Sequence, residues 1–317
     1  MTEQSAGGAT RANRAFTGIA TFMRAPHQSD LAGLDADVAV LGVPFDEGSP
    51  FAPGSRFAPR TIREHSMRLG SSGLYDIEND RHYLRELLGR RRLADAGDVD
   101  ILPSRADLSM ANLTRDVAMI RERGARPIVV GGDHTITFPV VRAFDEPIHV
   151  IQLDAHLDYF PVMQDMTYTN GQAFRLLHGL GHVKSLTQIG IRSWRDLESN
   201  AADARAAGGR IVTIPELRAK GIAAAISHLP AGEACYVSID VDAYDMPLVP
   251  GCVSAEPGGF HFEELRDTLK AIAERFPVRG FDFVEVNPQL DVGTGVTSYL
   301  GALTIAMFLG FIEAARS

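Results

Sequence analysis

The sequence predicts an α/β fold with a central, mainly parallel sheet covered by helices on both faces. Two observations carry this. Short apolar, β-branched runs alternate with longer stretches of helical periodicity along the 317 residues, which is how successive β-α-β units read. Three of the strand-like runs also end in ionisable clusters: Gly131-Gly132-Asp133-His134, Asp154-Ala155-His156-Leu157-Asp158 and Ser238-Ile239-Asp240-Val241-Asp242. Open α/β sheets place their chemistry at the C-terminal ends of their strands.

Residues 1–16 are polar and small, without the apolar core of a signal peptide. They are expected to be mobile or to lie across a neighbouring subunit, with 17–317 forming one domain. The first strand is expected at 38–44, and helical spacing follows over 58–66 and 108–122. Pro127-Ile128-Val129-Val130 opens a strand over 127–131, and a helix is expected at 136–144. His149-Val150-Ile151-Gln152-Leu153 forms the next strand, with others at 185–191, 210–214, 235–239 and 278–286. Helices are expected at 197–207, 214–219, 222–228, 262–275 and 299–315. The apolar stretch 299–312 carries Gly301, Thr304 and Gly310 and falls short of the roughly 20 apolar residues of a membrane span, so it reads as a buried helix. Loops after strands are short except 159–171 and 243–260, and long loops beside ligand clusters usually carry substrate contacts.

With 45% apolar and 22% charged residues the chain can build a sizeable core. Its formal charge of −9 argues against nucleic acid as a partner, because phosphate binding needs a basic surface. The run Arg90-Arg91-Arg92 reads as a solvated helix end. Cys235 and Cys252 form no disulfide framework, which fits a reducing cytosol and a cytoplasmic protein; Cys235 is expected to be a free buried thiol. No Gly-x-Gly-x-x-Gly follows a predicted strand and there is no Walker-type lysine loop, which counts against nucleotide binding.

The three clusters carry the functional argument. Alternate residues of a strand share a side, so Asp154, His156 and Asp158 can converge if the chain stays extended, and so can Asp240 and Asp242. Each cluster alone has a plainer reading: Gly-Gly-Asp-His as a tight turn, Asp-x-Asp as a turn start. Together, that many carboxylates at the end of a buried sheet would repel one another without cations. Four Asp and two His exceed what one cation uses comfortably but suit two, of the Mn, Fe, Ni or Zn kind that accept imidazole and carboxylate together.

Further segments complete a pattern: Gly42-Val43-Pro44-Phe45-Asp46, Pro53-Gly54-Ser55-Arg56-Phe57-Ala58-Pro59-Arg60-Thr61-Ile62-Arg63, Asp95-Ala96-Gly97-Asp98, Pro250-Gly251, Glu256-Pro257-Gly258-Gly259 and Val284-Glu285-Val286-Asn287-Pro288. In this order, with the three ligand clusters, the chain resembles the ureohydrolase family of arginases, agmatinases and related guanidino-compound hydrolases, on its agmatinase-like branch. The resemblance implies a three-layer arginase-like fold with a sheet of about eight strands and a homo-oligomer, trimeric or hexameric. It implies two Mn2+ ions, with Ni2+ or another divalent metal as alternatives. His134, Asp154, Asp158 and Asp240 would hold one; His156, Asp154, Asp240 and Asp242 the other. Two cations sharing a water lower its pKa enough to provide hydroxide near neutral pH. Attack on the guanidinium carbon would release urea and an amine, with Asp158 passing a proton to the leaving amine.

Glu285 reads as the substrate anchor. It ends an apolar strand, where a lone carboxylate is costly, and a planar guanidinium would satisfy it; an internal ion pair with Arg56 is the structural alternative. Glu256 is similar to a family substrate Glu but could also serve the turn around Gly258-Gly259. Asn170 stands where family members carry a His, and Asn cannot shuttle a proton, so it is expected to orient substrate or water. His178 lies about two helical turns further on. The loop 159–168 is aromatic and Met-rich and lacks the Asn/Ser character with which arginases grip an α-amino acid, favouring an amine-tailed or alkylated guanidine. A guanidino acid and an N-alkylguanidine remain alternatives. Dinuclear phosphoesterases use similar motifs, but their Asp-x-His comes first and Glu285 would repel a phosphate. A non-catalytic partner subunit is the third class, against which the complete ligand set argues.

Overall fold

The computed structural model describes residues 14–70 and 72–316; the expectation for 1–16 falls largely outside them. In chain order the strands and helices are β1 (Val38–Val43), α1 (Ala58–Ser66), β2 (Leu74–Asp76), β3 (Arg81–Tyr83), α2 (Arg85–Gly89), β4 (Leu93–Asp98), α3 (Ala106–Glu122), β5 (Arg126–Gly131) and α4 (Thr137–Arg142). There follow β6 (Ile148–Leu153), α5 (Ala173–Leu177), β7 (Val183–Ile191), α6 (Glu198–Ala206), β8 (Arg210–Thr213), α7 (Ile214–Ile226), β9 (Cys235–Asp240), α8 (Phe262–Arg275), β10 (Val278–Val284) and α9 (Val296–Ala314).

Eight strands form one parallel sheet in the order β4-β1-β5-β10-β9-β6-β7-β8. Every residue of β1, β5, β6 and β9 is buried, as expected of strands covered on both faces. Alternation along a strand divides the core in two: Val38 and Val40 of β1 join one apolar layer, Ala39, Leu41 and Val43 the other. α9 is long and apolar enough for a span, and the structure packs it against α1 and α8 with most of its length buried. Its Phe308 meets Phe281 of β10 with ring centroids 4.8 Å apart.

Several elements differ from the expectation. Leu93–Asp98 is an edge strand pairing with β1, although its two acids and a glycine give no apolar run. The β2–β3 hairpin and the short α2 and α5 are too brief to show periodicity. The segments expected as two helices, 214–219 and 222–228, form a single element broken at Gly221, whose φ of 77° is non-helical. Thr213 caps its start by accepting the Glu216 N–H at 3.3 Å.

Two of the motif segments pin α1 to the sheet edge. Arg63 of α1 is buried, and its guanidinium donates to Asp95 Oδ2 (2.9 Å), Asp98 Oδ1 (2.6 Å) and the Gly97 carbonyl (2.7 Å) of β4. Asp95 also accepts the Phe22 N–H at 2.7 Å, tying in the chain before β1. Breaking a buried pair leaves an uncompensated charge. Arg63→Ala is expected to destabilise the fold by about 3 kcal/mol, read as a lower denaturant midpoint at unchanged m-value; a change below about 0.5 kcal/mol, the range of an ordinary surface substitution, would contradict the pinning role.

Candidate metal centre

The four central strands β5, β10, β9 and β6 are neighbours and parallel, so their C-terminal ends meet at one place. His134 follows β5, Glu285 follows β10, Asp240 ends β9 with Asp242 in the next turn, and Asp154, His156 and Asp158 follow β6. Backbone turns aim these groups. Asp133 accepts the Thr135 N–H at 3.0 Å, Asp154 the His156 N–H at 2.6 Å, and Asp240 the Asp242 N–H at 2.8 Å. The chain beyond β6 does not stay extended. Asp158 has φ +46°, and convergence comes from that bend instead of strand alternation. A side chain on Gly132 would run into the Phe45 carbonyl, so only glycine admits the approach of the β1 and β5 loops.

His134 Nδ1 lies 3.1 Å from Asp154 Oδ2, 3.0 Å from Asp158 Oδ2 and 3.2 Å from Asp240 Oδ2. Ligand atoms of His134, Asp154 and Asp158 all lie within 4.8 Å of one another, as do those of Asp154, His156 and Asp242. His156 Nδ1 is 2.9 Å from Asp242 Oδ2 and 3.6 Å from Asp154 Oδ1. Asp154 thus belongs to both groups. His134 Nδ1 is buried and unpartnered by any hydrogen bond, and the donor set of imidazole and carboxylate suits divalent transition ions. The residues therefore fit two cations. Cys252 adds a thiol near Asp240 and Asp242; like Cys235 it is free and buried.

The protonation pattern shows the strain of this cluster. Burial opposes charge on His134, but three carboxylates pull its pKa well above the usual histidine value. Burial likewise opposes charge on His156, yet Asp242 and Asp154 raise it to about 12. Burial, then Asp154, pushes the Asp158 carboxyl up to about 7. Burial with Asp242 and Asp154 carries Asp240 well above the carboxylate range. Without cations, protons serve as the countercharge.

A cavity of about 200 Å3 opens over the cluster, lined by Pro50, His156, Asp158, Phe160, Asn170, Gly171, Arg195, Asp196, Asp240, Ser254 and Glu285. Glu285 is 4% exposed, sits at φ +68°, and is held by the His134 N–H (2.9 Å) and Asn170 Nδ2 (3.2 Å). A non-glycine residue in that region costs about 1–3 kcal/mol and persists where surroundings enforce it. Burial, then Asp133, raises its pKa to about 7. Arg56, the structural alternative, is paired with Asp46 instead, its Nε donating at 2.5 Å. Asn170 lies beside Glu285 on the cavity wall. His178 is remote from this role; its Nδ1 meets the Tyr159 hydroxyl at 2.5 Å. Glu256 does not line the cavity. It accepts from Arg195 Nε (2.9 Å) and Ser193 Oγ (3.0 Å), 3.5 Å behind His156 Nε2. From the 159–168 loop Phe160 lines the cavity, while Met163 and Met166 are exposed. Arg195 and Asp196, which reach the cavity from the loop after β7, belong to no motif readable beforehand.

A model of the arginase family matches residues 36–310. The chain belongs to the arginase family. It is 32% identical to proclavaminate amidinohydrolase of Streptomyces clavuligerus over 90% of each chain. The solved structure of that enzyme superposes with a TM-score of 0.85 at 29% identity, covering 96% of this chain and all of the other. The chain is 35% identical to an agmatinase of Pyrococcus horikoshii, covering 83% of this chain and 89% of that one. The structure of formimidoylglutamase from Bacillus subtilis matches with a TM-score of 0.81 at 28% identity over 98% and 96% of the two chains. The protein is accordingly an amidinohydrolase of the ureohydrolase group with the arginase-like α/β fold.

The titration of the cluster has a measurable consequence. Raised carboxyl values at Asp158, Asp133 and Glu285, each about 7, contribute stability below the unfolded carboxyl pKa and lose it as pH rises through 7. The raised histidines add stability below their unfolded pKa that also declines above it. The chelator-treated protein is therefore expected to melt at a lower temperature at pH 8 than at pH 5, and added divalent metal to raise Tm more at pH 8. Scanning calorimetry showing a flat or rising metal-free Tm over this interval would contradict the electrostatic account.

Proposed function

We propose that this family member hydrolyses an amine-tailed guanidine, agmatine or a close analogue, to urea and the corresponding amine with two divalent cations, manganese in the first instance. The observation that carries the reading is the charge arrangement of the cavity. Four aspartates and two cations would balance, which leaves Glu285 and Asp196 as acids on the cavity wall with no ion pair among the described residues.

Glu285 offers its carboxylate to a planar guanidinium, a charge-assisted pairing with fixed geometry. Asp196 accepts the Leu157 N–H at 3.2 Å and has no ion pair among the described residues; burial raises its pKa to about 6. A terminal ammonium would complete it. Arg195, the neighbouring cation, is already engaged by Glu256 and by the Ser254 carbonyl at 3.0 Å. That disfavours a carboxylate tail.

Two bound cations would lower the pKa of water enough to provide hydroxide near neutral pH and would offset negative charge on the attacking oxygen. Asp158 would take one proton from the attacking water and pass it to the leaving nitrogen, and the second water proton, shed by the oxygen as urea forms, would leave the amine protonated. Asn170 cannot exchange protons and holds Glu285 in place.

A second reading is favoured by Asn170. Its amide already occupies one side of the Glu285 carboxylate, and a formimidoyl group, with one nitrogen fewer than a guanidinium, needs fewer acceptors; the product would then be formamide. One screen separates the two. Metal-loaded protein is offered agmatine, 4-guanidinobutanoate, methylguanidine, L-arginine and N-formimidoylglutamate, and urea and formamide are quantified.

Agmatine should be preferred, with arginine poor. Glu285→Gln should lower kcat/KM at least tenfold, and Asp196→Asn roughly ten- to a hundredfold on agmatine but little on methylguanidine, since a hydrogen bond to a charged group contributes about 1.5–3 kcal/mol. Preference for the guanidino acid, or an Asp196→Asn effect equal on both substrates, would overturn the amine-tail reading.

A further inference from the structure

One layer beneath the metal centre, four polar side chains stand in a row across four adjacent strands. Gln188 of β7 is the register partner of Gln152 of β6, Gln152 of Ser238 on β9, and Ser238 of Asp282 on β10. All four are fully buried, and apart from Thr187 their neighbours along the strands are apolar. Buried polar groups persist when they are paired, and these are paired toward the ligands. Gln188 Nε2 donates to Gln152 Oε1 at 2.6 Å, and Gln152 Nε2 donates to Asp154 Oδ2 at 2.6 Å. Ser238 Oγ lies 2.8 Å from His134 Nε2 and donates to Asp282 Oδ1 at 2.6 Å. Tyr236 (2.7 Å) and Thr137 (2.9 Å) donate to the other oxygen, Asp282 Oδ2.

We propose that Asp282, acting through Ser238, is a positioning residue that fixes the tautomer of His134 so that Nδ1 presents its lone pair to the metal centre. Hydrogen counting fixes the tautomer. A serine hydroxyl has one hydrogen, and here Asp282 takes it. Ser238 can then only accept from His134 Nε2, which must carry the proton. A neutral His134 is left with a bare Nδ1 facing the oxygens of Asp154, Asp158 and Asp240, an arrangement that repels in an empty site and binds in a filled one. The carboxylate–hydroxyl–imidazole chain orients a metal ligand from the far side, as outer partners of metal-bound histidines do. Asp282 touches neither substrate nor metal, and Gln152 performs the equivalent service for Asp154.

This inference rests on the proposed metal centre, but its readout is metal affinity, not turnover. Mn2+ binding is measured on the full chain by calorimetry, with stoichiometry by elemental analysis and apoprotein Tm recorded in parallel. Ser238→Ala and Asp282→Asn are expected to weaken binding of one of two ions ten- to a hundredfold, leaving the second ion in place. Tyr236→Phe removes a different donor to the same carboxylate and should keep both ions at wild-type affinity. If Asp282→Asn does not fold, the Ser238 and Tyr236 variants still decide. Wild-type affinity for both ions in Ser238→Ala, or equal weakening in Tyr236→Phe, would show that the network is structural only and overturn the proposal. Loss of urea release with intact metal affinity would instead bear on the proposed reaction.

Discussion

Four aspartates and two histidines brought together at the buried ends of β6, β9 and β5 govern this structure. Carboxylates in a low-dielectric interior repel strongly, and among the described residues no cation forms an ion pair with them other than the two histidines. Arg195 and Arg56 are engaged elsewhere, with Glu256 and Asp46, and Arg192 is spent on the backbone carbonyls of Asp242, Tyr244 and Glu256. The cluster is tolerable only with protons or cations: burial first and then neighbouring carboxylates raise Asp158 and Asp240, and the carboxylates overcome burial to raise His134 and His156. Cation binding must displace protons, so the centre is coupled to pH.

The parallel sheet is what makes such crowding possible. Each central strand delivers its C-terminal residue to the same edge, and the rest of the sheet buries the strain in two apolar layers. Local geometry is bent to finish the placement: Asp158 and Glu285 both hold left-handed backbone angles that non-glycine residues avoid. Rigid support comes from below, where the row from Gln188 to Asp282 occupies positions that packing alone would fill with aliphatic side chains. Such sites trade stability for placement.

Much of this could be read from the sequence because it is local. The strands feeding the site are β-branched runs bounded by Gly and Asp, and the ligands follow them within five residues. The eighth strand, Leu93–Asp98, escaped because its acids are spent on Arg63 and the Phe22 amide, partners distant in sequence. For the same reason Asp196, Arg195 and Asp282 gave no signal: their meaning lies in contacts made across the sheet. Glu256 illustrates the converse. Its motif suggested the substrate, and the structure sets it behind His156 with Arg195 and Ser193.

If the carboxylate cluster holds two cations, anomalous diffraction from crystals grown with Mn2+ will show two peaks of comparable height about 3.5–4 Å apart, one beside His134 Nδ1 and one beside His156 Nδ1, with Asp154 and Asp240 reaching both. A single peak, or manganese bound away from these residues, would rule out a dinuclear centre here.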